Sequence, residues 1–168
     1  MEDLRSLAER LRLQPVATKL LFVVDSYFLA QILLQLEYKG VEKMLLCAGP
    51  ALGNVRFLTA PCRPSLEQSP AHVRPAPGEF VKAVREITSY GMRLTAVFHC
   101  HPGLGVPYPS RYDVAYHRIL EDLGYQAVGA VVNNEGYCRF FSYRLDFQIV
   151  VLGKNFDELG DMVLKIKR

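Results

Sequence analysis

Apolar residues recur every three or four positions in some segments, as in helices, and form short continuous runs in others, as in strands. Because the two kinds of segment follow one another along the chain, the sequence predicts an α/β domain. Helical spacing predicts helices near 4–11, from Asp25 or Ser26 to before Gly40, over 78–90 and over 110–123. Apolar runs predict strands over 20–24, 44–48, 54–59, 93–98, 126–132, 137–143 and 147–152, with a hairpin turn at 133–136. The pattern over 157–167 is mixed and fits a helix or a strand.

Residues 60–77 follow neither period because this segment is rich in proline. Proline lacks a backbone donor and favours extended conformations, so an irregular loop is predicted here. The prolines are Pro61, Pro64, Pro70, Pro75 and Pro77. Loops of this length in compact domains are often functional or mobile. A flap that contacts a substrate and a plain connector are both compatible with the sequence.

Length, composition and charge agree with one compact domain. A chain of 168 residues, 50% of them hydrophobic, suits a single core, and its net charge of +3 is scattered rather than gathered in a run. Nothing in this distribution favours nucleic acid or a membrane as a partner. We expect a domain over 20–168, preceded by a helical extension over 1–19 that packs on the domain or on a partner.

The cysteines and the first residues indicate a compartment. Cys47, Cys62, Cys100 and Cys138 are widely separated and form no Cys-x-x-Cys pair, so neither a disulfide framework nor a zinc knuckle is expected. The N-terminal residues mix charged side chains with leucines and lack the apolar core of a signal peptide, and no run is long enough to span a membrane. These features predict a cytoplasmic location.

The strand predicted over 93–98 leads into the residues with the most specific chemistry, His99-Cys100-His101-Pro102. Histidines at i and i+2 of a strand point to the same face, so both imidazoles can bind one metal ion. Ser110 and Asp113 follow at a predicted helix start, where they fit an N-cap and its reciprocal acidic partner. Asp113 would add a carboxylate oxygen as third ligand. Three such ligands with a free fourth position describe a catalytic zinc site, which makes hydrolysis the leading hypothesis.

The spacing His-x-His-Pro-x7-Ser-x2-Asp resembles the motif of the JAMM metalloproteases, also called the JAB/MPN family, which includes zinc-dependent deubiquitinases. The match runs from His99 to Asp113 without insertion or deletion, and the resemblance covers residues 20–152. The one departure is Cys100, where the family usually has Ser or Thr. Its side chain should point away from both histidines and fill a small buried space. The resemblance implies one JAB/MPN-like domain with helices packed on a mixed, curved β-sheet.

The family motif also has an upstream glutamate, at the start of an apolar strand that ends in glycine. Glu42 matches this pattern, since Gly40 is placed to end the preceding helix and Gly49 closes the apolar run. Glu37 is the competitor, but the helical pattern places it inside the helix. By resemblance, Glu42 would be the general base that passes a proton from water to the leaving amine, and Ser110 would stabilise the oxyanion.

The same resemblance implies a cofactor, Zn(2+), and a substrate. It predicts hydrolysis of the amide bond after the C-terminus of a ubiquitin-like modifier, in deconjugation or precursor processing. The compact form resembles prokaryotic members that occur with ubiquitin-like conjugation enzymes, some of them in antiviral defence operons. Three alternatives remain open: a peptidase for a sulfur-carrier protein, a peptidase for cell-wall or phage peptides, and a non-catalytic MPN scaffold.

Two further histidines have less specific surroundings. His117 lies one turn after Asp113 and is predicted to be exposed on its helix rather than to orient a ligand. His72 lies in the proline-rich segment and is predicted to be a surface residue.

Overall fold

A computed structural model describes residues 19–167, in which three helices and 13 strands form one domain, so the predicted α/β fold class is confirmed. The helices are α1 (Ser26–Gln35), α2 (Glu79–Ser89) and α3 (Arg111–Asp122). The strands are β1 (Leu20–Asp25), β2 (Met44–Gly49), β3 (Ala51–Leu52), β4 (Val55–Leu58), β5 (Ala60–Cys62), β6 (Leu66–Ser69), β7 (His72–Pro75), β8 (Arg93–Cys100), β9 (Val128–Val132), β10 (Tyr137–Phe141), β11 (Phe147–Leu152), β12 (Phe156–Gly160) and β13 (Val163–Ile166). The helix predicted near 4–11 lies outside the described residues. No helix within 19–167 has the length and apolar character needed to cross a membrane.

The strands form two larger sheets and one small one. A seven-stranded mixed sheet has the order β12-β13-β10-β9-β8-β2-β5, in which β8 is parallel to β9 and antiparallel to β2. Four strands, β11-β1-β4-β3, form a second sheet, and β6 pairs only with β7. The central strands β2, β8 and β9 are buried along almost their whole length, as expected for strands covered on both faces.

Alternate residues of β8 divide the core into two layers. Phe98 and Cys100 join the cluster that lies between the large sheet, α1 and the smaller sheet. Val97 joins a second cluster, which also contains Ile87 of α2 and Leu120 of α3. Because side chains alternate along a strand, the residues that follow Val97 on its face, His99 and His101, lie on the side of α2 and α3. This pleat places the two histidines beside the N-terminus of α3.

Helix α1 begins as predicted and ends earlier. The Asp25 carboxylate accepts hydrogen bonds from the backbone N–H groups of Tyr27 and Phe28 at 2.9 and 3.1 Å. The helix ends at Gln35, and three residues later Asn134, in the β9–β10 turn, exchanges two hydrogen bonds with the backbone of Tyr38 at 2.7 and 2.9 Å. The prediction that Glu37 lies inside the helix is therefore wrong.

The prediction of an irregular loop over 60–77 is also wrong, since the segment contains β5, β6 and β7. Pro61 lies in β5, an edge strand paired with β2, and edge strands are where sheets tolerate proline. Pro70 lies between β6 and β7, which form an antiparallel hairpin from Leu66 to Pro75. Proline thus occupies edge and turn positions that a sheet tolerates. Residues 157–167, which fitted a helix or a strand, form the β12–β13 hairpin.

Candidate metal centre

His99, His101 and Asp113 lie together where β8 ends and α3 begins. The two histidine Nε2 atoms are 2.9 Å apart, and they lie 3.1 and 3.3 Å from Asp113 Oδ1 and Oδ2 respectively. Tetrahedral zinc with bonds of about 2.0–2.1 Å requires donor atoms roughly 3.3 Å apart, so only small adjustments separate this arrangement from that geometry. The three residues predicted as ligands therefore form one group that could hold a metal ion.

Both neighbours of β8 hold the histidine segment in place. The His101 N–H donates to the Val132 carbonyl at 2.9 Å, and the Cys100 N–H donates to the Lys43 carbonyl at 3.0 Å. The Cys100 thiol is fully buried in the opposite core layer, where it accepts the Lys43 N–H at 3.1 Å. The prediction that Cys100 fills a buried space away from the histidines is confirmed.

A capping box at the start of α3 orients the third ligand. The Ser110 N–H donates to Asp113 Oδ2 at 2.6 Å, and the Asp113 N–H donates to Ser110 Oγ at 3.3 Å. Asp113 can therefore act both as part of the helix cap and as a metal ligand, since its carboxylate closes the capping box with Ser110 and also faces both imidazoles. Because Ser110 Oγ acts as the acceptor in the box, its own proton stays available for another group.

Asp113 supplies the negative charge of the group. Burial alone would raise the pKa of Asp113, but hydrogen bonds from His101 and His99 hold that pKa well below its usual range. Asp113 is therefore a carboxylate, the form that binds a cation. Burial would lower the pKa of His101, yet its hydrogen bond with Asp113 raises that pKa overall. The group thus carries an anionic oxygen between two imidazoles.

Glu42 faces the same group from the side of β2. It lies two residues before β2 rather than within it, and Met44, the first residue of that strand, is paired with His99. Its side chain is buried, which raises its pKa, while the imidazoles of His101 and His99 oppose that rise. Glu37 is exposed and forms an ion pair with Lys39 at 2.9 Å. Of the two candidate glutamates, the structure brings only Glu42 to the candidate metal centre.

The β6–β7 hairpin fixes the backbone of Glu42. The Glu42 N–H donates to the Ser69 carbonyl at 3.0 Å, and Gln68 Nε2 donates to the Glu42 carbonyl at 3.0 Å. The Tyr38 hydroxyl donates to the Pro70 carbonyl at 3.1 Å, which ties the hairpin turn to the chain after α1. The proline-rich segment is thus a support for the candidate base, a role that its composition did not predict.

Replacing Gln68 by alanine is expected to lower the turnover of the hydrolysis predicted from the sequence by about 2–10-fold, because one hydrogen bond that positions Glu42 is lost. Metal content should be unchanged, since Gln68 contacts none of the three ligands. Steady-state kinetics and metal analysis of the purified variant test this. Glu67→Ala is the matched control, because it breaks the exposed Glu67–Arg74 pair of the same hairpin and leaves Glu42 untouched. Equal turnover in both variants would refute the supporting role.

A cavity of about 880 Å³ opens from the candidate metal centre. It lies between α3 on one side and the chain from β7 to the start of α2 on the other. Glu42, Ser110 and the three candidate ligands lie at one end, and mostly apolar side chains line the rest. The apolar lining includes Met44, Val97, Phe80, Tyr112, Tyr116, Ile119, Leu120 and Leu123. The arrangement combines a metal-ligating group, a carboxylate and a hydroxyl at the end of an apolar cleft.

His117 was predicted to be exposed, and this is wrong. The side chain is 2% exposed and packs against Phe141, with 4.9 Å between the ring centroids. A Cβ atom on Gly129 would lie 2.7 Å from His117 Nε2 and 2.3 Å from the Phe141 ring, so a larger residue there would have to displace these buried rings. Burial lowers the pKa of His117 to about 4, which keeps the ring neutral. The overlooked signal was Gly129, since glycine inside a strand often marks a close approach. His72 is exposed, as predicted.

Comparison with known proteins supports the fold. No family model matches the chain, and no curated protein matches it. Among solved structures, the chain is similar to protein DSY2949 from Desulfitobacterium hafniense, with a TM-score of 0.55 and 18% sequence identity. The similarity covers 79% of this chain and 94% of that one. At this identity the comparison shows a shared fold alone.

Proposed function

We propose that the protein is a zinc-dependent peptidase of the JAMM type, which hydrolyses the amide bond after the C-terminus of a ubiquitin-like modifier. The observation that carries the proposal is the convergence of His99, His101 and Asp113 at one point, with Glu42 beside them at the same end of the cavity. Two imidazoles and one carboxylate are a donor set typical of catalytic zinc. When bound there, zinc would act as a Lewis acid and lower the pKa of a water molecule toward about 7.

The chain's own residues supply the proton transfers. Glu42 accepts the proton of the attacking water and returns it to the leaving amine, a role that suits a buried carboxylate with a raised pKa. Ser110 donates its hydroxyl hydrogen to the oxygen that becomes negative in the transition state. Its Oγ atom accepts the Asp113 N–H in the capping box, which holds the oxygen beside Asp113 and leaves its proton free to donate.

The shape of the cavity supports an extended peptide as substrate. The lining follows α3 from Asp113 to Leu123, and ten residues of helix rise about 15 Å. About four extended residues have that length, which fits the flexible C-terminal tail of a modifier. Conjugation enzymes as partners, and a role in antiviral defence, belong to the same proposal. The free thiols of all four cysteines favour a reducing compartment such as the cytoplasm.

Cleavage of ubiquitin-like modifier fusions, prepared with a C-terminal extension or an isopeptide-linked lysine, tests the proposal. We expect hydrolysis at the modifier's C-terminus, its loss with a chelator, and its return when zinc is added. Cleavage of short cell-wall peptides but not of the fusions would contradict the modifier as substrate. Binding of a modifier without hydrolysis, with zinc present, would favour a non-catalytic scaffold.

A further inference from the structure

The smaller sheet ends at β11, whose outer edge has no partner strand in the described part of the chain. β11 pairs with β1 in an unbroken parallel register along its whole length. The Leu20 N–H donates to the Asp146 carbonyl at 2.9 Å, so the even-numbered residues of β11 direct their backbone groups toward β1. The N–H and C=O groups of Phe147, Ile149 and Val151 therefore point away from the sheet. These groups can form a ladder with one further strand.

The other sheet edges that the structure describes are protected against such pairing. Proteins protect an edge strand by making it short or by placing charges, proline or a bulge in it. β3 has only two residues, and β5 contains Pro61. β12 carries Asp157 and Glu158 and has an irregular register, and the β6–β7 hairpin carries Glu67 and Arg74. By contrast, β11 has six residues with neither a charge nor a proline among them.

Opposite charges flank β11. Asp146 directly precedes the strand, and Lys154 follows its last residue by two positions. Both residues are exposed, and neither forms an ion pair within residues 19–167. An antiparallel pair of β11 strands would bring Asp146 of each copy close to the partner's Lys154, whereas a parallel pair would bring like charges together. The charge pattern therefore fits a second copy of this chain in the antiparallel orientation.

A two-fold axis at Val150 satisfies both the backbone groups and the charges. Ile149 would exchange two hydrogen bonds with the partner's Val151, which gives about four bonds by symmetry. Ile149 and Val151 pack against the core, so Val150 lies on the outer face of the sheet. It would face the partner's Val150 in a non-hydrogen-bonded pair, with about 4.5 Å between the Cα atoms. Leu152, which is 53% exposed, would lie opposite the partner's Gln148.

We propose that β11 is an interface at which two copies of this chain pair in antiparallel orientation and join their smaller sheets into one continuous sheet. Identical strands related by a two-fold axis are self-complementary, so the assembly closes as a dimer. Such an interface is small, and we expect a dissociation constant in the micromolar range. The described lining of the cavity contains no residue of β1, β3, β4 or β11, so pairing leaves the cavity open and is independent of the proposed function.

Sedimentation of the full chain over a range of concentrations tests the dimer. We expect the average mass to rise with concentration from that of one chain toward that of two. Asp146→Lys should raise the dissociation constant by about 3–30-fold, because two lysines then lie opposite each other at both ends of the pair. Adding Lys154→Asp to this variant should restore the wild-type value. A monomer at every concentration, or a double variant no tighter than Asp146→Lys, would overturn the proposal.

A charge on the two-fold axis tests the register. Val150→Lys would place two ammonium groups opposite each other and should abolish association. Leu52→Lys is the matched control, because Leu52 is 73% exposed in β3 at the opposite edge of the same sheet. It should associate like the wild type. Circular dichroism verifies that both variants are folded. Association of Val150→Lys equal to that of the wild type, or an equal loss in both variants, would overturn the proposal.

A disulfide tests the same register without a charge. The expected separation of about 4.5 Å between the Val150 Cα atoms lies within the range that a disulfide spans. Mild oxidation should therefore crosslink the Val150→Cys variant into a covalent dimer, seen on a non-reducing gel. Leu52→Cys should stay monomeric under the same conditions. Equal crosslinking of the two variants, or none in Val150→Cys, would overturn the pairing of β11 about this axis.

Discussion

Glu42→Gln is expected to lower hydrolysis by about 100–10,000-fold, the range for a positioned general acid and base. The glutamine amide has the same shape as the carboxylate but cannot accept the proton of the attacking water. The segment should stay in place, since Ser69 and Gln68 bind the backbone of residue 42 and not its side chain. Single-turnover cleavage, with metal content measured on the same sample, isolates the loss of the proton transfer.

Glu37→Gln is the matched control for this variant. Glu37 is exposed and forms only a surface ion pair with Lys39, so its replacement should leave activity close to that of the wild type. A large loss in Glu37→Gln with normal activity in Glu42→Gln would assign the base to the other glutamate. Full activity in both variants would mean that neither carboxylate moves the proton.

The second large effect concerns the metal. We expect one zinc ion per chain in the wild type, and its loss in His101→Ala and in Asp113→Asn. Removing a ligand should weaken zinc binding by more than the roughly 10–100-fold that changes around the ligands usually cost. Asparagine keeps a side-chain oxygen that can accept the Ser110 N–H, so Asp113→Asn should preserve the helix cap. Metal analysis after dialysis against a weak chelator measures the difference.

Two control substitutions match the ligand variants. Asp122→Asn makes the same change at an exposed position of α3, and His72→Ala makes the histidine change at an exposed position on the cavity rim. Both should retain zinc. Circular dichroism should show a folded protein after demetallation, because two apolar clusters on either face of the large sheet hold the domain together. An equal zinc content per chain in all four variants and in the wild type would refute the metal site formed by His99, His101 and Asp113.

Much of the fold and the core of the site were predictable because their signals are local. The pleat alone placed His99 and His101 on one face of β8 and Cys100 on the other. The capping box alone predicted that Ser110 and Asp113 begin a helix. Helix spacing and apolar runs located α1, α2, α3 and most of the strands, since these depend on neighbouring residues in the chain.

What the sequence by itself determined is therefore the three helices, seven of the 13 strands and the three candidate ligands, because these signals come from residues close together in the chain. The resemblance favoured Glu42 over Glu37, and only the tertiary structure showed that Glu42 lines the cavity with the three ligands while Glu37 is exposed outside the helix. The tertiary structure also decided that the proline-rich segment is a hairpin supporting Glu42, and that His117 is buried against Gly129. These three features depend on which distant segments of the chain pack together, and a local pattern of residues does not specify that packing.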